Sequence, residues 1–134
     1  MKIFGQVELS ALEQALDTLK EGLRHPVENS LERDGVLQRF EYTYELSWKI
    51  VRRCLLAMGR TDVSASPKPI WREALTEHFI SDLEAWFGYV EARNLLSHVY
   101  NEMEAERIYN KVKQFPALVD DLIDNLKKRG LRNE

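Results

Sequence analysis

Apolar residues recur along this chain at steps of three and four, and no stretch sustains the two-residue alternation of a half-buried strand. The first such segment, ELSALEQALDTLKEGLRH, sets Leu9, Leu12, Leu16, Leu19 and Leu23 on one stripe with charges opposite, and Pro26 ends it. A second begins near Asn29 and runs to Met58, where Gly59 closes it. Its seam reads Leu37, Phe40, Tyr44, Ser47, Val51, Cys54 and Met58, widened by Trp48 and Leu55, and Gly35 is a candidate break near its start. The stretch RTDVSASPKP predicts a loop. Ser66 can then cap a third helix with Pro67 in its first position, carrying Ile70, Trp71 and Leu75. Ser81 with Glu84 reads as a capping box for a fourth helix. Asn101 with Glu104 opens a fifth that runs toward Lys128 and stops at Gly130, with Pro116 kinking or splitting it. The expected fold is all-α: an antiparallel four/five-helix up-and-down bundle forming a single domain over residues 1–134.

Composition narrows the function classes. The 134 residues fit one core, and 44% hydrophobic with 31% charged residues is a globular balance. No apolar run approaches a bilayer span, and MKIFGQVELS lacks a signal-peptide core, so no membrane partner is expected. A single cysteine, Cys54, cannot form an internal disulfide, which fits a cytoplasmic location. Net charge is -3, so any contact with nucleic acid must come from a local patch.

The fourth helix breaks its own pattern. Leu83, Trp86, Phe87 and Val90 make an apolar stripe, but seven residues on, Trp86 is followed by Arg93, Phe87 by Asn94 and Val90 by Ser97. Tyr100 continues the line from Arg93, and His98 follows four residues after Asn94. Polar groups at buried positions must be paired, wet or at an interface. His98 lies about 140° round the helix from Arg93, a gap that the arginine side chain can span, particularly if the helix loosens near Ser97. An imidazole moves protons near neutrality, and a guanidinium grips phosphate through two donors. These are the parts of a metal-free ribonuclease. The plainer reading is a surface pair at a helix end.

The run Arg93-Asn94-Leu95-Leu96-Ser97-His98-Val99-Tyr100 resembles the R-X4-H-X-Y motif of HEPN domains, with the polar residue that commonly follows the arginine. The stretch Arg33 to Lys49, RDGVLQRFEYTYELSWK, is similar to the second helix of the nucleotidyltransferase substrate-binding proteins, a HEPN branch. Ser66-Pro67-Lys68, Glu84-Ala85-Trp86 and the Arg93 motif follow in that family's order, so the resemblance covers roughly residues 8 to 129. It implies an all-α homodimer encoded beside a minimal nucleotidyltransferase, with which it forms a hetero-oligomer. It further implies an endoribonuclease toxin with Arg93, His98 and Asn94 in the catalytic site and RNA as substrate. The partner antitoxin would silence it by AMP transfer to Tyr100. An alternative within the branch is a non-catalytic subunit that presents substrate to the nucleotidyltransferase. A helical interaction protein with no chemistry is the third possibility.

Other features change little. Glu41, Glu45, Lys49 and Arg52 line the polar side of the second helix. Lys49 and Arg52 read as a solvated face with intrahelical ion pairs, while Glu41 and Glu45 stay open between that and a lining for a partner or RNA. Trp48, Tyr44, Trp86 and Phe87 read as core. Asp120, Asp121 and Asp124 read as facing water, and Lys127, Lys128 and Arg129 as dipole-complementing charge. His25 and His78 have no partners with ligand spacing, so no metal site and no cofactor are expected. No Gly-rich phosphate loop is present, nor a Gly-Ser followed by paired aspartates. The chain is therefore not itself the nucleotidyltransferase.

Overall fold

A computed structural model describes residues 1–98 and 101–131. Among them are six α-helices: α1 (Ser10–Arg24), α2 (Ser30–Ala57), α3 (Pro67–Thr76), α4 (Leu83–His98), α5 (Glu102–Val112) and α6 (Phe115–Gly130). The mostly helical fold is as expected, with one helix more. Pro116 divides the fifth segment and comes to rest in the first turn of α6, where a missing backbone donor costs nothing. An antiparallel hairpin, β1 (Lys2–Ile3) with β2 (Val7–Glu8), precedes α1. Two residues per strand are too few for alternation to reveal, and the turn rests on Phe4 and Gly5 at φ 51° and 76°.

The long α2 is the strut of the fold. Its apolar positions are buried on more than one side, from Val36 and Leu37 through Phe40, Tyr44, Val51 and Cys54 to Leu55. Asn29 caps it by accepting from the Glu32 N–H at 2.9 Å, and the Glu32 carboxylate accepts from the Glu28 N–H at 2.8 Å. Gly35 does not break it: the buried residues on either side, Arg33 and Val36, carry the helix through. At the far end Gly59 takes φ 95°, with its N–H to Leu56 O and the Arg60 N–H to Leu55 O, a Schellman closure.

The ion pairs set helix directions. Lys127 bonds Glu13 at 3.1 Å and Lys20 bonds Asp120 at 3.0 Å, so α1 and α6 run antiparallel. Arg39 donates to Thr18 O, and Gly22 packs against Val36, so α1 and α2 do as well. Lys68 meets Glu91, and Arg72 lies over the Phe87 ring, which orients α3 against α4. The core between them is aromatic. Trp71 of α3 stacks on Trp86 of α4 with centroids 4.0 Å apart, and Phe115 stands edge-on to Phe40 at 5.0 Å. An aromatic pair contributes about 0.5–1.5 kcal/mol beyond the area it buries.

Several local expectations are corrected. Asp82, not Ser81, caps α4, its carboxylate accepting the Ala85 N–H at 3.0 Å, because the helix begins at Leu83, one residue later than a Ser81 cap implies. Asn101 does cap α5 through the Glu104 N–H at 3.1 Å, but the Glu104 carboxylate turns to Arg107. Ser66 occupies the cap position of α3 without a side-chain bond to the helix, its hydroxyl lying 3.0 Å from that of Ser64. Leu75 is exposed, and Ala74 takes the buried place expected for it.

Gly130 ends α6, and the reason for glycine there is contact: a Cβ would lie 2.4 Å from Ile3 Cβ, where Phe4 N–H donates to Gly130 O. Replacing Gly130 by Ala forces hairpin and helix apart and should destabilise by about 1–3 kcal/mol. Gly35→Ala meets open space inside a helix and should stabilise by about 0.5–1 kcal/mol. Urea midpoints of the two variants moving in the same direction would contradict this assignment.

Candidate active site

α4 carries the motif residues, and its core half fixes their orientation. Trp86, Tyr89, Val90 and Ala92 are its buried positions, while Leu83 and Phe87, expected in the stripe, are only half-buried. Phe87 instead lies under two cations, with Lys68 Nζ 5.5 Å from its ring centre and Arg72 Cζ 5.2 Å. The Tyr89 hydroxyl donates to Lys111 O at 2.8 Å, tying α4 to α5.

Beyond Ala92 only Leu96 of α4 still packs against the core, which explains why the stripe turns polar at Arg93, Asn94 and Ser97. Arg93 is half-buried, whereas Asn94, Leu95, Ser97 and His98 are exposed. The helix stays regular through His98 without loosening at Ser97. Arg93 therefore does not reach forward to His98. Its Nη1 donates to the Ser97 hydroxyl, which donates in turn to Arg93 O at 3.3 Å. Its other contacts lie on α2: Nε is 3.4 Å from the Glu45 carboxylate and Nη1 is 3.8 Å from that of Glu41. Nε is buried without a hydrogen bond, and Nη2 has no partner among the described residues. No hydrogen bond joins Arg93 to His98 within the chain. Tyr100, the expected phenol of the constellation, lies outside the described residues.

Glu41 and Glu45, left open by the sequence, thus form the clamp on the motif arginine. The signal for them was their four-residue spacing on the polar strip of α2, but no sequence rule says which helix faces that strip. Glu45 is the hub: it also accepts from the Trp48 indole N–H at 3.1 Å and sits 3.7 Å from Lys49 Nζ. Lys49 makes the expected i,i+4 pair. Arg52 does not, since its Nε donates to Ser64 O at 2.9 Å and fastens the loop after α2. Beneath the clamp, burial pushes the Tyr44 hydroxyl up to about 12, and Arg93 is close enough to oppose that shift. Burial likewise pushes the Cys54 thiol up to about 12, making it the inert core thiol expected.

A second arginine is more deeply placed. Arg33, 5% exposed, pairs with Asp34 on its own helix and with Glu102 and Glu106 of α5, at 3.1, 2.9 and 3.6 Å. The sequence marked Arg33 only as the start of the family-like stretch. It ties the α5 N-terminus, immediately beyond the motif, to the base of α2.

Comparison with known proteins places this arrangement in a family. Residues 7–128 match the family described as nucleotidyltransferase substrate binding protein like. The chain belongs to that family. It is 35% identical over 99 residues, spanning 72% of this chain and 68% of the other, to a Haemophilus influenzae protein named "Probable ribonuclease HepT". Among solved structures it is similar to a Thermus thermophilus protein, at 34% identity and a TM-score of 0.78 over 87% of this chain and 98% of that one. It is equally close in fold to a Haemophilus influenzae protein whose structure is described as revealing the fold of a substrate binding domain of a nucleotidyltransferase. That match has 29% identity and a TM-score of 0.78 over 90% and 99% of the two chains. No helix among the described residues is long and apolar enough to cross a membrane.

The buried acids beneath the site make the fold sensitive to alkali. Cys54 titrates ordinarily near 9 and Tyr44 and Tyr89 near 10, and burial raises each to about 12. Between pH 9 and 12 the unfolded chain has released protons that the folded chain still holds, so stability is full below pH 9 and falls as pH rises. The urea midpoint should decline steadily from pH 9 to pH 11. A flat profile over that range would contradict the burial of these three groups.

Proposed function

We propose that this protein is a HEPN-type endoribonuclease that cleaves RNA without a metal, built as a homodimer and held inactive by a minimal nucleotidyltransferase encoded as its antitoxin. The observation that carries the reading is Arg93: a motif arginine clamped by Glu41, Glu45 and Ser97, with Nη2 unpartnered among the described residues, five residues before an exposed His98. The similarity to "Probable ribonuclease HepT" supports it.

In this mechanism His98 takes the proton of a ribose 2′-hydroxyl. The O2′ attacks the adjacent phosphorus, and Arg93 stabilises the charge that develops on the phosphorane oxygens. The P–O5′ bond breaks, the 5′-oxygen takes up a proton, and a 2′,3′-cyclic phosphate remains. Asn94 serves orientation. Because Arg93 and His98 do not meet within one chain, we assign them to a groove shared by two copies about a two-fold axis, with exposed Leu95 of α4 in the contact. Control acts on Tyr100. Its hydroxyl attacks the α-phosphate of ATP, pyrophosphate leaves, and the resulting phosphodiester brings one negative charge toward Arg93 while the adenosine blocks entry.

A second reading draws support from the resemblance to the substrate-binding-domain structure: a non-catalytic subunit that presents substrate to the nucleotidyltransferase. Purified chain incubated with RNA in EDTA separates the two. Cleavage with cyclic phosphate ends is expected, lost by about a hundredfold or more in Arg93→Ala and in His98→Ala and less in Asn94→Ala. Activity abolished by EDTA, or retained on an all-deoxy strand, would overturn the mechanism. A monomer by light scattering at micromolar concentration would overturn the shared groove.

For the control step, the chain incubated with its cognate nucleotidyltransferase, ATP and magnesium should gain AMP by intact mass, with matching loss of cleavage. The Tyr100→Phe variant should gain none. A fully inhibited complex with Tyr100 unmodified would mean that the partner acts by occlusion alone.

A further inference from the structure

The polar strip of α2 changes sign along its length. Glu41 and Glu45 face Arg93, and one to two turns on come Lys49, Arg52 and Arg53. These three cations, with Trp48 and Ala65, line a groove of about 350 Å³ between α2 and the loop that follows it. In a chain of net charge -3 such a cluster stands out, and its members are little neutralised. Lys49 is 51% exposed, and its ion pair to Glu45 is 3.7 Å long. Arg53 is exposed with no ion pair among the described residues. Arg52 spends only Nε, on Ser64 O, which holds the loop as the opposite wall and leaves both terminal nitrogens without a partner among the described residues. The other basic side chains nearby are committed: Arg60 pairs with Glu73 and Glu77, and Lys68 with Glu91.

The groove adjoins the candidate site through one carboxylate. Glu45 touches Arg93 on one side and Lys49 and the Trp48 indole N–H on the other. From Glu45 to Arg53 is eight residues of helix, about 12 Å. We propose that this groove is the track for the RNA strand flanking the scissile phosphate, its backbone phosphates held by Lys49, Arg52 and Arg53. The proposal rests on the ribonuclease reading for the meaning of Arg93, and it adds a binding surface that the motif does not contain. An extended, open row of cations suits the phosphates of a single-stranded backbone better than a compact ligand, which needs enclosure.

The test uses the full chain and a single-stranded 2′-O-methyl RNA oligonucleotide, which has no 2′-hydroxyl to react, with binding followed by fluorescence anisotropy across a salt series. Lys49→Gln with Arg53→Gln removes two exposed charges and spares Arg52, which holds the loop. For a single strand each phosphate contact contributes about 0.7 to the slope of log affinity against log salt. The double variant should bind several-fold more weakly, with a slope shallower by about 1.4. A control of equal charge change, Lys2→Gln with Lys128→Gln, should match wild type. An unchanged slope in the groove variant overturns the proposal, as does an equal loss in the control or a wild-type chain that does not bind the oligonucleotide. Loss of binding to the nucleotidyltransferase with RNA binding intact overturns it too, and marks the groove as a seat for an acidic protein surface. Cleavage of ordinary RNA is scored separately. Cleavage with an unchanged slope removes the track and leaves the ribonuclease, whereas a shallower slope without cleavage keeps the track and removes the ribonuclease.

Discussion

Burial of α2 on all but one strip of its surface is the constraint on which the rest of the molecule depends. A helix of 28 residues whose Phe40, Tyr44, Val51, Cys54 and Leu55 must all leave water cannot sit at the edge of a bundle. Helices α1, α3, α4 and α5 therefore gather round it, and α6 closes over α1. What remains exposed on α2 is narrow, and charged side chains run along it beside the exposed Tyr42 and Leu56. The side chains along it, from Glu41 to Arg53, acquire their roles from the helix and loop that happen to border the strip: α4 delivers Arg93 to the acidic half, and the loop after α2 walls the basic half. Packing in the core thus determines the chemistry outside it.

The helices were legible because each is long enough for its period to show and carries its own punctuation. Pro26, Asn29, Gly59, Pro67 and Asn101 all mark ends that the structure keeps. The failures are local competitions. Ser81 and Asp82 are both good caps, and only the start of packing at Leu83 selects the aspartate. Gly35 is a poor helix former, overridden because burial of Val36 and the ion pairs of Arg33 to Asp34, Glu102 and Glu106 outweigh what the glycine loses. The hairpin offers too few residues for any period, and the requirement at Gly130 comes from a strand more than a hundred residues away in the chain. The candidate site divides in the same way. Arg93, Asn94 and His98 stand out as a break in a local pattern, whereas the clamp from Glu41 and Glu45 is a contact between distant segments, of which a periodicity reading sees only the two ends.

The clamp also has an electrostatic consequence. Two carboxylates within 4 Å of a guanidinium reduce the field that it projects toward an anion, so Arg93 is a poor phosphate trap for its charge alone. What the clamp supplies is geometry: with Nη1 donating to Ser97 and the ion pairs to Glu41 and Glu45 beside it, the side chain loses little further rotamer freedom when Nη2 meets an oxygen. Such a group favours a charge that appears late and in one place, as on a phosphorane, over a diffuse polyanion. For the RNA substrate proposed above, attraction must then come from cations outside the clamp. Lys49, Arg52 and Arg53, on the far side of Glu45, are such cations, with Lys49 only loosely paired and Arg52 spending one nitrogen on Ser64. On the proposed ribonuclease reading, one helix strip separates the two tasks, holding the arginine still at one end and drawing the strand in at the other. Glu45 joins the two: its carboxylate lies 3.4 Å from Arg93 and 3.7 Å from Lys49, and so offsets the repulsion between the arginine and the basic end.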